Sequence, residues 1–496
     1  MGGDDLAGRL RLPPMVAGQV VDGWRLIERL HTGGMAHLWS VEPVQGDGAP
    51  VLPAGCEGLS LILKAPRIKS GADPATIVGF EVEQMILPAL HGPHVPRYMA
   101  RGDFTGAPYI VMERIPGATL KPRLDAAPLA FYEIIEIGSR VATALHELHR
   151  QHLVHLDVKP SNIMQRPDGT TVLVDFGLSH HDRLPDLLDE EFTLPSSAKM
   201  IGTGPYMSPE QVQYVRNDPR SDLFALGVML YHLTTGERPF GAPGSVRGLR
   251  KRLYVEPVPP RSLRRDCPPW LQEVILKCLE VQPARRWQSG AQLALALQNP
   301  AQVPLTSRAA RLRRSGPLRV LQVLRRWFAA VGAEPQAAPA QGVATQLMKS
   351  PIVMAAVDIE NAAAGLLECL RETVTRILVT EPGARLACVG VMKTARIGID
   401  ERVDAAGNSL HVKQLAGLRH WARPINRQLA LEEGRLTFHV LEAPDAAAAI
   451  VEFAERNQVD HIVMGARGHS ALRRYLGSVS SQVVAQAECT VTVVRR

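Results

Sequence analysis

Between residues 24 and 66 the chain carries three short runs that mix apolar with polar positions, WRLIERL (24–30), AHLWSVE (36–42) and SLILKAP (60–66). Short runs of this kind predict strands. Longer patterns follow. FYEIIEIGSRVATALHELHRQ (131–151) and SDLFALGVMLYHLTTG (221–236) repeat apolar residues every three to four positions, which predicts helices. A β-rich part followed by an α-rich part gives a two-lobed α+β architecture over residues 20–298, after an N-terminal tail at 1–19. From about residue 351 the pattern changes again. IVMAAV (352–357), RLACVGVM (385–392), RLTFHVLE (435–442), HIVMG (461–465) and CTVTVV (489–494) are continuous apolar runs separated by helical stretches. Such runs predict strands buried on both faces, a five-stranded parallel α/β sheet over 351–496. Between the two patterns, residues 299–350 are rich in Pro, Ala, Arg and Gln and read as a linker.

At 496 residues the chain exceeds what one core can organise. Its six cysteines lie far apart with no CxxC pair, which suits reduced thiols and a cytoplasmic protein. No apolar run has the length of a signal peptide core or a membrane span. Charge is unevenly placed. Seven arginines and no acid lie between Arg308 and Arg326, and they match the whole formal charge of +7. The remainder is neutral, so global nucleic-acid binding is not implied. Val320, Leu321, Leu324, Trp327 and Phe328 would share one side of a helix, with Arg319, Arg325 and Arg326 on the other. A basic amphipathic helix allows three readings: peripheral contact with an anionic membrane through 308–328, docking on a neighbouring domain, or plain packing with solvated arginines.

Candidate chemistry is concentrated in HLDVKPSNI (155–163) and VDFGLS (174–179). At this spacing Asp157 can receive a hydroxyl proton and Lys159 can neutralise a phosphate in transfer. Asn162 and Asp175 can hold metal ions. The two segments resemble the catalytic and metal-binding loops of eukaryotic-type protein kinases, with Leu156 where that family usually has arginine.

The resemblance implies ATP with Mg2+ (Mn2+ being the substitute metal) and further residues in order. LHTGGMAHL (30–38) would be the phosphate-covering loop, with Leu30, Gly33, Gly34 and Leu38 framing the nucleotide. Only Gly33 of three spaced glycines is kept, with His31 and Ala36 at the other two places. Lys64 would grip the phosphates and Glu83 would pair with it. Met112 would be the gatekeeper of a hinge whose Glu113 and Ile115 backbone faces adenine. Glu210 of GTGPYMSPEQ (202–211) would pair with Arg286, and Asp222 would brace the catalytic loop. Together these resemble a bacterial Ser/Thr protein kinase, with protein substrates. Lys159, and Thr203 ahead of Tyr206, favour serine and threonine as acceptors. A pseudokinase scaffold that senses nucleotide without transferring phosphate is the alternative, supported by the reduced glycine loop. Leu156 cannot pair with a phosphate, so activity is expected to be largely independent of phosphorylation at Thr193, Ser196, Ser197 and Thr203.

In HIVMGARGHSALRRYLGSVSSQVV (461–484) a strand leads through a glycine-spaced loop into a helix, a junction whose amides favour anions. With five βαβ strands and Asp358 after the first, this region resembles a universal stress protein domain. That implies ATP at Asp358, Gly465, Gly468, Gly477 and Ser478, although the spacer between Gly468 and Gly477 is one residue short. The other reading is that these glycines only permit tight turns beside a sheet. The resemblance also implies a homodimer through TVTVV (490–494) and no catalysis in this domain. The pairs His31/His37, His91/His94, His152/His155 and His180/His181 lack converging carboxylates or thiols in sequence and read as loop or core histidines.

Overall fold

The computed structural model describes residues 15–32, 36–46, 48–67, 74–102, 108–188, 204–312, 342–348, 350–394, 409–431, 435–466 and 478–495. Two compact units emerge. The first comprises residues 1–265, 278–286 and 313–343, and the second 266–277, 287–312 and 344–496.

The first unit begins with strands β1 (Val20–Val21), β2 (Trp24–Thr32), β3 (Ala36–Pro43), β4 (Leu61–Pro66), β5 (Tyr98–Gly102) and β6 (Tyr109–Glu113). They form one antiparallel sheet in the order β1-β2-β3-β4-β6-β5. The two-residue repeat of the strands sends Trp24, Leu26, Trp39, Val41, Leu61 and Leu63 into a common core. Helix Pro74–Ile86 follows β4. Its Gly79 lies against Gly177, where a Cβ on either residue would come within 3.0 Å of the other's carbonyl oxygen. Small residues are needed there because the helix must approach the chain after Asp175 closely.

Helix Phe131–Arg150 buries Ile134, Ile137, Val141, Ala144, Leu145 and Leu148, the single stripe its period predicts. Helix Arg220–Thr235 is buried on nearly every face, from Ser221 through Thr234, and stops at Gly236 in the left-handed conformation. Short strands carry the loops of interest: β7 (Ala118–Thr119), β8 (Leu153–Val154), β9 (Ile163–Gln165), β10 (Thr171–Leu173) and β11 (His180–His181). Of these, β8 pairs with β11, and β9 lies between β10 and β7.

The second unit is a parallel sheet of β12 (Ile352–Ala356), β13 (Arg385–Lys393), β14 (Leu436–Ala443), β15 (His461–Gly465) and β16 (Thr490–Val494), ordered β14-β13-β12-β15-β16. Helices Ala364–Thr380 and Leu410–Leu429 contribute Leu370, Val374, Leu418 and Trp421 to one core. The other face packs Ile352, Met354, Ile462 and Met464 against Ile450 and Val451.

Helix Gly290–Gln298 joins that second core through Ala291 and Leu295, each 1% exposed. Arg385, at the head of β13, places its guanidinium 5.9 Å from the Trp287 ring and donates to the Gln292 carbonyl. Within the span read as linker, residues 299–312 are folded onto this unit. Gln302 donates to the Phe438 carbonyl at 2.7 Å and accepts from its N–H at 2.6 Å, capping the β14 edge. Glu273 accepts from Thr306, Arg308 and Ala309. Proline-rich composition hid these contacts, because they are made by isolated polar side chains with no sequence period. The amphipathic stretch 319–328 lies outside the described residues. Leu295→Ala should destabilise the second unit by about 2–5 kcal/mol through lost burial and a residual cavity. Urea unfolding of the full chain, followed by Trp421 fluorescence, measures it, and an unchanged midpoint would place Leu295 outside the core.

Candidate active site

Lys64 is carried by β4, whose register sets Leu63 against Val111 and Lys64 against Ile110. The alternation that buries Leu63 turns Lys64 to the other face, toward helix Pro74–Ile86. Its Nζ is 2.5 Å from Glu83 Oε2 and 3.0 Å from Asp175 Oδ1. Burial opposes charge on Lys64, but Asp175 and Glu83 outweigh it and hold the ammonium above its ordinary value. Lys64 in turn holds the Asp175 carboxyl down at about 2, with Lys159 and His155 adding to the effect. That carboxylate is 45% exposed, so it is charged with oxygen surface to spare.

Asp157 sits at the centre of a second cluster. Lys159 Nζ reaches its Oδ2 at 2.7 Å, and Asn162 Nδ2 donates to its backbone carbonyl and to Oδ2, both at 3.0 Å. The loop that presents them is shaped by one buried acid. Asp222 accepts from the N–H groups of His155 and Leu156 at 2.8 Å each, and from His149 at 2.9 Å. Leu156 is thereby held at φ 61°, a left-handed conformation that costs a leucine on the order of 1–2 kcal/mol. Asp175 is likewise left-handed at φ 70°.

The hinge expectation falls on β6. Met112 is buried, and the Glu113 N–H is bonded to the Arg97 carbonyl. Ile115 is buried beyond the end of β6. The Glu113 carboxylate takes two hydrogen bonds from Arg166, at 2.5 and 2.9 Å. Sequence reading missed that pair, since nothing in the local pattern of either residue points to the other. Leu30 and Leu38 lie on β2 and β3, both half-buried. Gly33 and Gly34 lie outside the described residues, as do Thr193, Ser196, Ser197 and Thr203.

Downstream, Arg286 grips Glu210 with two hydrogen bonds of 2.6 and 2.7 Å, and Ser221 donates to the same carboxylate at 2.7 Å. Arg252 is buried and bonds the carbonyls of Gly204 and Met207, and burial lowers its pKa to about 10. Gln211 donates to the Leu156 carbonyl at 2.8 Å, tying the SPE segment to the catalytic loop.

A further network, unforeseen from sequence, anchors the chain after VDFGLS. Asp186 accepts from Arg216 Nε at 2.8 Å and from His180 Nδ1 at 2.9 Å. Arg216 also donates to the carbonyls of Leu178 and Ser179. Burial opposes charge on His180, but its bonds to Asp182 and Asp186 prevail and raise its pKa to about 9. Asp186 is held below its usual range, since His180 and Arg216 outweigh its burial. The signs follow. The histidine's contribution is complete below its ordinary 6.5 and fades as pH rises through about 9. The carboxylate's contribution is complete above 3.8 and fades as pH falls below it. NMR titration should therefore find His180 protonated at neutral pH, and Asp186→Asn should move its titration toward 6.5. A wild-type value already at 6.5 would contradict the network.

Asp175 and Asn162 offer a carboxylate and an amide oxygen, hard donors that suit Mg2+, which takes few protein ligands and completes its shell with water and phosphate oxygens. Among the described residues no group of three His, Cys, Asp or Glu side chains could hold a metal. Of the histidine pairs, His155 meets the Val174 carbonyl and His94 the Thr171 carbonyl.

In the second unit the chain runs from β12 outward to β14, then returns to β15 and β16 on the other side. The direction reverses between β12 and β15, and in such sheets ligands sit in the crevice at the strands' carboxyl ends. Asp358 lies just past β12 and accepts from the Asn361 backbone and side chain, both at 3.1 Å. Gly465 ends β15, and Ser478 opens helix Ser478–Gln486. Gly468 and Gly477 lie outside the described residues.

Residues 69–298 match the protein kinase domain, and residues 297–495 match the universal stress protein family. A probable serine/threonine-protein kinase of Clostridium acetobutylicum is 34% identical over 192 residues, 38% of this chain and 28% of that protein. The serine/threonine-protein kinase PknB of Mycolicibacterium smegmatis is 33% identical over 236 residues, 47% of this chain and 37% of PknB. The serine/threonine-protein kinase pkn3 of Myxococcus xanthus is 34% identical over 277 residues, 53% of this chain and 50% of that one. The chain thus spans half or less of the length of each of these curated relatives.

Proposed function

We propose, from the match of residues 69–298 to the protein kinase domain and of residues 297–495 to the universal stress protein family, that this chain transfers the γ-phosphate of Mg-ATP to serine and threonine hydroxyls of proteins, itself included. The observation that carries the reading is the joint assembly of Lys64–Glu83, Lys64–Asp175 and Asp157–Lys159–Asn162. Lys64, fixed by Glu83, fits the α- and β-phosphates, and Asp157 is placed to take the acceptor's proton. Lys159, on the same carboxylate, fits the phosphoryl group during transfer. Asn162 and Asp175 would hold Mg2+, which when bound neutralises charge on the nucleotide's phosphates. The names of the curated relatives support serine and threonine as acceptors.

A scaffold that only senses nucleotide could use Lys64 and Asp175 to bind it, but would have no use for an Asp157 held by both Lys159 and Asn162. Incorporation of labelled phosphate from Mg-ATP into the chain and into generic protein substrates tests the proposal. No incorporation by the wild type would favour the scaffold.

For the second domain we infer a nucleotide at the crevice between β12 and β15, with Asp358, Gly465 and Ser478 from the described residues and Gly468 and Gly477 from the loop. Pairing of two copies is favoured at β16, because β16 ends the sheet and the opposite edge, β14, already carries Gln302. Arg308 is paired with Glu273, so contact with an anionic membrane would fall to residues 313–328.

A further inference from the structure

The residue that departs from the kinase pattern, Leu156, is not simply an omission. Leu156 and Val154 form a small apolar cluster with Val343, a residue on the far side of the arginine-rich stretch that groups with the first unit. Val343 is fully buried and Leu156 is 5% exposed. Beside them the Val343 N–H donates to Asp182 Oδ2. Asp182 is a residue of the activation-segment root, and its carboxylate lies 3.6 Å from both His152 and His180. Gly342 completes the fit: a Cβ there would come within 2.8 Å of Asp182 Oδ2. Apolar burial, a charge-assisted hydrogen bond and a close glycine contact therefore meet over two consecutive residues.

We propose that Gly342–Val343 is an intramolecular latch, seated on Val154, Leu156 and Asp182, that holds the activation-segment root against the catalytic loop where other kinases use a phosphorylated residue. The physical logic is substitution of one fastening by another. An arginine at position 156 could recruit a phosphate, whereas Leu156 recruits a valine of the same chain and Asp182 binds that valine's amide. The seat spans β8, the catalytic loop and the turn after β11, so occupying it stabilises the pairing of β8 with β11. In the latched state Lys64, Glu83, Asp175 and Asp157 are all assembled, which makes the latch a positive element for turnover. The effect on turnover rests on the proposed kinase activity, but the latch itself does not.

The test uses the full chain with Val343→Asp, which sets a carboxylate against Leu156 and Asp182, and with the milder Gly342→Ala. Hydrogen–deuterium exchange of residues 153–156 and 180–186 should quicken about fivefold or more in both variants, as expected when a local fastening is released. Thermal unfolding of the second unit should stay unchanged. Turnover should fall by a similar factor with KM for ATP unmoved, and treating the wild type with phosphatase should not reproduce the fall. Unaltered exchange in both variants would overturn the latch. Quickened exchange with undiminished turnover would overturn its positive role. A wild type with no transfer would sink the kinase reading while the exchange arm still decided the seat.

Discussion

Asp157→Ala should lower phosphoryl transfer by roughly 10²–10⁴-fold, the range that positioned proton acceptors contribute. Nucleotide binding should be nearly unchanged, because under the proposed function the phosphates fall to Lys64, which is held by Glu83, and not to Asp157. The physical cause is specific. Lys159 and Asn162 both hold Asp157 Oδ2, leaving one orientation for the carboxylate toward an acceptor hydroxyl. Asp157→Asn would keep the shape and lose the base, so it should be nearly as inactive. Rate of labelled phosphate transfer, together with the KM for ATP, is the measurement. Activity within tenfold of wild type in both variants would remove Asp157 from its assigned role.

Arg286→Ala should be the most damaging substitution for stability, at roughly 3–5 kcal/mol, because it strands a buried carboxylate. Glu210 and Arg286 have side chains 1% and 0% exposed, so water cannot take the lost partner's place. Arg286 also satisfies the carbonyls of Arg220, Glu280 and Val281, which would be orphaned together. Replacing both members of the pair should cost less than the sum of the two single changes, since the double variant leaves no lone charge. Denaturant unfolding of the two single variants and the double variant decides this. Strict additivity would mean that the two groups do not interact.

Much of the architecture was legible from periodicity. The run at 131–151 became helix Phe131–Arg150, that at 221–236 became Arg220–Thr235, and the five apolar runs after 351 became β12 to β16 in order. These segments are long, and their burial is set by one repeating stripe or by full enclosure, both of which leave a trace in sequence. The salt bridge from Arg166 to Glu113 left none, because its partners are 53 positions apart on segments with unrelated periods. Nor did Arg216, whose flanking sequence VRND is unremarkable until the fold sets it beside Asp186.

The catalytic motif shows the division most clearly. By itself the sequence determined the chemistry on offer: an acid, a lysine, an amide and a second acid whose spacing alone confined them to two loops, together with the absence of an arginine at 156. Those are covalent facts of a short segment. Only tertiary structure brought Val343 onto Leu156, because the two lie 187 positions apart in the chain. It likewise decided that helix Gly290–Gln298 helps to cover the parallel sheet of the second unit. Contacts between distant segments are fixed by which surfaces remain to be buried after local structure has formed, and no local pattern records that outcome.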